Sequence, residues 1–311
     1  ALNEEKTIGG VIDAIPRQFS GITEVEVIAV NDGSTDSTAA IARDKGAYVI
    51  SHDRPSGVGA AFHSGLKAAL SRGSDIIVNI DADGQFNPPD IPTIVEPVIH
   101  GQAGFVTATR FARKEFVPEM PAIKKWGNKQ VTHLVNFITG GTFTDVACGF
   151  RAYSREAALR LTLFGKFTYT QEVFIDLAFK GIVIKEVPLK IQGERRHGNS
   201  RVFINPWHYA TKSATIMFRA ARDYKPFLII GFPGLAVFVF CIISRLFVLT
   251  QFLQTGQTPH SRTILTRTGV LLIIGFLLLF ISLVADMIHR NRILIEEQLY
   301  LTRKNTYKKH E

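Results

Sequence analysis

Residues 75–85 read DIIVNIDADGQ. Asp75–Ile80 is a short apolar run that predicts a strand, and the polar DADGQ behind it predicts a turn at the strand's carboxyl end. Two carboxylates one residue apart, Asp81 and Asp83, can project from such an end toward one divalent cation, with Gln85 adding a neutral oxygen. An oxygen-only donor set suits Mg²⁺ or Mn²⁺, completed by water and substrate phosphates. Such a metal would hold a nucleotide diphosphate and stabilise it as it leaves. Taken alone, DADGQ is read more simply as a solvated turn, and the motifs around it are what make it a metal site.

The surrounding pattern gives that strand its context. Val25–Val30 (VEVIAV) predicts a strand, Ala39–Lys45 a helix, Ala47–Ser51 a second strand, and Gly57–Ala69 a Gly-rich loop entering a helix. Strands alternating with helices predict an α/β fold, a mostly parallel sheet with helices on both faces. Ligands in such sheets bind beyond the carboxyl ends of the strands, which is where NDGSTD (31–36) and DADGQ both fall. Asp32 can accept hydrogen bonds from a base or ribose, and Asp36 is a capping candidate for the next helix. Gly57 and Gly59 let backbone approach a nucleotide at a helix start, although a tight turn explains the pair equally well. The stretch ALNEE (1–5) leads straight into a predicted helix, Lys6–Ile15, where a βα fold places a strand first. The chain is therefore expected to be an N-terminally incomplete form of a longer protein.

The 311 residues carry a formal charge of +9, which invites a nucleic-acid reading until the charge is located. Residues 1–211 hold 23 basic and 22 acidic side chains, whereas residues 212–311 hold 13 and 5. The basic third also contains two uncharged 18-residue runs, Phe227–Ser244 and Thr268–Ala285, each close to the length that crosses a bilayer. The partner expected for this charge is thus an anionic membrane surface and not nucleic acid. Spans are expected over 226–250 and 268–288, joined by an extracytoplasmic loop at 251–267 and followed by a basic cytoplasmic tail at 289–311. Ten Lys and Arg flank the pair outside this loop, against Arg262 and Arg267 within it, which places both termini in the cytoplasm. Residues 206–225 show an apolar face at helical spacing (Trp207, Ala210, Ala214, Met217, Phe218, Ala221) and predict an interfacial helix, with packing on the soluble part as the alternative. Two cysteines, one of them in a span, exclude a disulfide scaffold. Cys148 is expected to pack and not to react.

Taken in order, LNEE (2–5), VNDGSTDST (30–38), GVGAA (57–61) and DADGQ (81–85) resemble family 2 glycosyltransferases of the GT-A fold. TATRF (107–111), DVACGFRAY (145–153), YTQE (169–172) and RRHGNSR (195–201) narrow the likeness to the dolichol-phosphate-mannose synthase branch. The resemblance implies that residues 1–205 form the glycosyltransferase domain, with Asp81, Asp83 and Gln85 at the metal and diphosphate. It implies that Asp32 and the Gly57–Gly59 loop line the nucleotide pocket. Arg110 is implied to bind acceptor phosphate, and Arg195 and Arg201 to lie near donor and acceptor phosphates. Asp145 is implied to open the loop that closes over the sugar. Asn31 stands where the family often has Asp, which leaves the base contact and the nucleotide open. Glu172 reads either as a helix-start residue or as an active-site acid.

The expected reaction is inverting, metal-dependent transfer of a hexose, mannose or glucose, from GDP-mannose or UDP-glucose to a polyprenyl phosphate. The acceptor phosphate is already an anion, so alignment and charge neutralisation matter more than a strong base. A processive polysaccharide synthase is the alternative within enzymes, but neither Trp126 nor Trp207 lies in a Q-x-x-R-W motif and two spans make a poor channel. A non-catalytic membrane adaptor that binds nucleotide sugar is the alternative from another class.

Overall fold

The computed structural model describes residues 1–162, 169–192, 215, 218–219, 221–256 and 261–308. The chain divides into two compact units, Ala1–Met217 with Glu297–Glu311, and Phe218–Glu296.

The first unit is an α/β sandwich. In chain order it comprises α1 (Ile8–Asp13), β1 (Ile28–Asn31), α2 (Thr38–Asp44), β2 (Tyr48–Ser51), α3 (Val58–Ser71) and β3 (Ile76–Asn79). These are followed by α4 (Ile91–Ile99), β4 (Phe105–Thr109), α5 (Ala122–Thr139), β5 (Arg151–Ser154), α6 (Arg155–Arg160), α7 (Thr170–Phe179) and β6 (Ile184–Pro188). The expected strand–helix alternation is present, with strands starting one to three residues later than their apolar runs. β1 and β2 pair in parallel, and the other strands form a sheet of order β3–β5–β4–β6. β4 and β6 are parallel, whereas β5 runs antiparallel to both of its neighbours, so the sheet is mixed.

Every residue of β4 is buried, because this strand reads FVTAT and is covered on both faces. On one face α4 contributes Ile94, Val95 and Val98 to a cluster with Val106, Ala108, Phe150 and Ala152. On the other, Phe105 meets Tyr153 and Phe174 at ring-centroid distances of 4.9 and 5.3 Å. β1 and β3 are only partly buried, and a cavity of about 2080 Å³ is lined from one side by Val27, Ile28 and Val30 and from the other by Ile76, Ile77 and Val78.

The second unit contains α8 (Phe232–Thr255) and most of α9 (Ser261–Thr306), whose residues from Glu297 onward belong to the first unit. Phe227–Gln254 and Leu265–Thr306 are long and apolar enough to cross a membrane. Only 17% of the most apolar window of each is buried, which is far too little for core helices of a soluble protein. Small residues bring the two helices together: a Cβ on Gly234 would lie 2.8 Å from that of Leu278, and one on Gly275 would lie 3.0 Å from the Phe238 nitrogen. Both helices outrun the charge-free segments: 251–255 and 261–267 of the expected loop are helical, and the expected tail is helical to Thr306. Most of the expected interfacial helix at 206–225 lies outside the described residues, and 221–224 are helical.

Phe105→Ala should remove the centre of the aromatic face. The expected loss is about 3–5 kcal/mol, read as a lower thermal midpoint of the detergent-solubilised chain.

Candidate active site

The site is assembled at the carboxyl ends of β1 and β3 from segments distant in sequence. Asn3, Glu4 and Glu5 fold onto the NDGSTD turn: Asn3 Oδ1 accepts from Thr35 N at 2.8 Å, Glu4 N donates to Thr38 Oγ1 at 2.8 Å, and Glu5 Oε2 accepts from Ser37 N at 3.2 Å. Thr7 Oγ1 then donates to the Ala82 carbonyl at 2.6 Å, which joins this turn to DADGQ. Asp36 Oδ1 accepts from Thr38 N at 3.0 Å from just ahead of α2, whose N-cap position is Ser37 and not Asp36.

Asp32 is buried and turned onto the next loop. Its Oδ1 accepts from Ser56 N at 2.9 Å and lies 2.7 Å from His52 Nδ1, while Oδ2 accepts from Gly57 N at 2.9 Å. His52 Nε2 lies 2.9 Å from Ser64 Oγ on α3, so one carboxylate ties the ends of β1 and β2 to the start of α3. Burial pushes the Asp32 carboxyl up, but the hydrogen bonds from His52, Ser56 and Gly57 outweigh it and hold the group below its ordinary value. Gly33 is obligatory beside it, with φ +73° and an added Cβ only 2.6 Å from the Arg54 carbonyl carbon. Asn31 is also engaged internally, accepting from Ser34 N at 3.1 Å and donating to Ser51 Oγ at 3.2 Å.

Asp81, Asp83, Asp32, Ser56, Gly57 and Tyr169 line the cavity described above. Gly59 is buried in the first turn of α3. Asp83 is buried, with Oδ1 accepting from Gln85 N at 3.0 Å. The DVACGF loop comes up against Asp81: a Cβ on Gly149 would lie 3.1 Å from Asp81 Oδ2, so this glycine leaves the space beside the carboxylate clear. Asn79 braces the same place, donating to the Gly149 carbonyl and to the Tyr169 hydroxyl, both at 2.8 Å. Burial and then the Asp81 carboxylate push the Tyr169 hydroxyl well above its usual value, which keeps it neutral. Among the described residues no three His, Cys, Asp or Glu side chains converge on one point. Asp81 and Asp83 therefore give the cavity two carboxylates, whereas Gln85 is not among its lining residues, and such a pair fits a Mg²⁺ or Mn²⁺ ion that takes its remaining ligands from other oxygens, phosphate and water.

Arg110 and Asp145 form a forked ion pair, Nε to Oδ2 at 2.6 Å and Nη2 to Oδ1 at 2.9 Å. Asp145 is completely buried and also accepts from Ala147 N and Asn128 Nδ2. Asp145 stands at the head of the DVACGF segment, and its carboxylate is turned onto the Arg110 guanidinium. Glu186 holds the pair from below, accepting from Asp145 N at 2.8 Å and from Thr144 N. Burial raises its carboxyl above the ordinary value. Arg151 is fully buried, gives Nε to the Cys148 carbonyl and Nη2 to that of Val146, and lies over the rings of Phe105, Tyr169 and Phe174. Cys148 packs as expected, its thiol pushed up to about 12 by burial. Glu172 stands in the first turn of α7. Arg195, Gly198, Ser200 and Arg201 lie outside the described residues.

The site thus joins Asp32, Asp81 and Asp83 on one cavity and pairs Arg110 with Asp145. Sequence reading missed His52, Asn79 and Glu186. For His52 the only signal was its position at the end of a predicted strand, and Tyr169 and Arg151 were visible merely as letters of longer motifs. Asp32→Asn should destabilise the chain by about 1–3 kcal/mol at neutral pH through loss of acceptor strength. Because the folded carboxyl is depressed, its contribution is fully present above the unfolded value of about 3.9 and is lost as pH falls through the lower folded value. Thermal midpoints of variant and parent should accordingly converge only in acid.

Residues 1–162 match the sequence profile described as Glycosyl transferase family 2. The chain is 31% identical over 211 residues to the UDP-N-acetylglucosamine--dolichyl-phosphate N-acetylglucosaminyltransferase of Methanococcus voltae, covering 61% of this chain and 82% of that one. It is 26% identical over 302 residues to glycosyltransferase AglJ of Haloferax volcanii, covering 96% and 95%. Among solved structures it resembles the glucosyl-3-phosphoglycerate synthase of Mycobacterium tuberculosis in complex with Mn²⁺, UDP-glucose and phosphoglyceric acid. That likeness has a TM-score of 0.55 and 26% identity over 71% of this chain and 77% of the other. With more than half its length matching the profile and the fold agreeing, the chain belongs to glycosyl transferase family 2 and is a glycosyltransferase.

Proposed function

We propose that this enzyme transfers a hexosyl group, with inversion, from a nucleotide diphosphate sugar to a polyprenyl phosphate held in the membrane. The observation that carries the proposal is that Asp32, Asp81 and Asp83 line one cavity, in a chain that also has two helices able to cross a bilayer. The dolichyl-phosphate acceptor named for the Methanococcus voltae relative supports the acceptor class.

In this reading Asp81, Asp83 and Gln85 hold a Mg²⁺ or Mn²⁺ ion, which would neutralise charge on the departing nucleotide diphosphate. The Mn²⁺ in the mycobacterial structure supports that choice of donor set. The first turn of α3, beyond Gly57 whose own N–H is held by Asp32, offers backbone N–H groups to the nucleotide. Asp32 shapes the nucleotide pocket by fixing residues 52–57. Asp145 aims the Arg110 guanidinium, which matches the geometry of an acceptor phosphate, and Arg195 and Arg201 add charge for the phosphates. The acceptor attacks as an anion, so the protein's main task is alignment.

The first unit also carries a surface suited to lipid. On α5, Ile123, Trp126 and Phe137 are 63%, 64% and 62% exposed and share one stripe with Leu134, flanked by Lys125 and Lys129. Thr132, Val135 and Ile138 on the opposite stripe are buried. An apolar stripe with Trp and flanking Lys suits the headgroup boundary. Residues Glu297–Lys308 pack within the catalytic unit, so the chain beyond the second span lies on the same side of the membrane as that unit. Together with the distribution of Lys and Arg, this supports a two-span hairpin with the catalytic unit in the cytoplasm.

Membranes holding the chain should be incubated separately with GDP-mannose, UDP-glucose and UDP-GlcNAc, and the labelled lipid extracted. Mannose or glucose on polyprenyl phosphate is the expected product, and no labelled lipid from any donor would overturn the reading. Asp83→Asn should lower metal-dependent transfer by about 100-fold or more while leaving membrane insertion unchanged. In a Trp207→Phe background, fluorescence of Trp126 should be quenched by dibrominated lipid in nanodiscs. Unquenched emission would remove α5 from the membrane surface.

A further inference from the structure

The basic end of α9 does not behave as a free tail. Tyr300 is only 6% exposed, and its hydroxyl donates to Glu156 Oε2 at 2.8 Å. The Arg160 guanidinium lies 4.0 Å from the Tyr300 ring centroid and pairs with Glu297 at 3.2 Å. Arg303 Nη1 donates to the carbonyls of Leu159 and Leu161, and Arg155 donates to the Tyr307 carbonyl. Cation, ring and carboxylate thus alternate along one seam between Glu297–Tyr307 and α6.

This seam meets a specific need. α6 has only six residues, and the last carbonyls of any helix lack intrahelical partners. Lys180 reaches the Arg160 carbonyl at 2.6 Å from one side, and Arg303 covers Leu159 and Leu161 from the other. Cations at a helix C-terminus also complement its dipole. α6 itself packs against α3, where burial, and then the Arg303 and Lys67 charges, hold His63 below its usual imidazole value. Beside His63 on α3, Phe62 stacks on Tyr169 with ring centroids 4.1 Å apart. Tyr169 in turn carries the hydrogen bond to Asn79 beside Asp81. The C-terminal end of α6 is also the point from which the chain continues toward Tyr169 and α7.

We propose that Glu297–Tyr307 is a clasp built into the catalytic unit, and that Arg303 is a positioning residue that holds the α6 terminus and, through it and α3, the Tyr169 wall beside Asp81. A membrane-anchored enzyme thereby uses the end of its last helix as part of its active-site scaffold. The consequence for catalysis rests on the glycosyl-transfer reading above, whereas the docking itself does not.

The test uses the full chain in nanodiscs with Arg303→Ala, Arg303→Lys and, as control, Asn305→Ala on the exposed side of the helix. Hydrogen exchange of amides 155–162 and 170–174 should accelerate about tenfold or more in Arg303→Ala, less in Arg303→Lys, and not in the control. Transfer should show kcat reduced about tenfold in Arg303→Ala with donor KM within about twofold, and partial recovery in Arg303→Lys. Unchanged exchange in Arg303→Ala would overturn the clasp and return the tail to a lipid-facing role. Faster exchange with unchanged kcat would overturn the positioning role. If the parent chain transfers nothing, the exchange arm still decides the docking, and the failure belongs to the proposed reaction.

Discussion

A carboxylate removed from water must find donors, and much of this active site follows from meeting that demand. Asp32 and Asp145 are both buried; Asp32 is met largely by backbone N–H groups of the loop that it fixes, and Asp145 by the Arg110 guanidinium, Asn128 Nδ2 and Ala147 N. Asp32 draws residues 56 and 57 to the end of β1, which sets the start of α3. Asp145 folds its own loop and locks Arg110 in a two-point grip. A group whose burial penalty is offset in this way cannot shift without exposing an unpaired charge, so the same contacts that stabilise the loops also give the site its rigidity. Arg151 is the cationic counterpart. Its charge is spread over two carbonyls and three rings, and it sets the backbone that leads to Gly149 beside Asp81.

The second unit obeys a different solvent. Its helices leave large apolar side chains such as Phe240, Phe247 and Phe276 outward and bring small residues inward, because hydrocarbon offers no drive to bury Leu or Phe between helices. Arg290 pairs with Asp286 and Arg292 with Glu296 toward the end of the second helix, while Arg245 within α8 donates to the Leu265 carbonyl. The positive charge of the C-terminal third therefore has two destinations. Part of it flanks the apolar spans, and part is consumed by the catalytic unit through Arg303.

Much was legible along the chain because it is written locally. Apolar runs ending in NDGSTD and DADGQ placed two acid-bearing turns at strand ends, and the structure brings both to one cavity. The charge-free runs marked the membrane helices, although the helices extend past the charges that seemed to end them. Backbone hydrogen bonding does not stop where hydrophobicity does, so span and helix have different boundaries. The role of Asp145 was less legible. A short motif shows that a carboxylate is present but not whether it faces substrate or lies beneath an arginine. His52 and Glu186 gave weaker signals still, since Asp32 stands 20 positions from His52 and Asp145 stands 41 from Glu186.

The sequence by itself determined the strand–helix order, the acidic turns, the two long apolar helices and the family resemblance, because periodicity, turn chemistry and charge-free length are properties of neighbouring residues. Only the tertiary structure decided that β5 runs antiparallel within its sheet, that Asp32 anchors a loop, that Asp145 underlies Arg110 and that Arg303 closes the end of α6. Each of these depends on which distant donor meets which buried acceptor. That pairing is set by how helices and strands pack in three dimensions, and no local pattern encodes it.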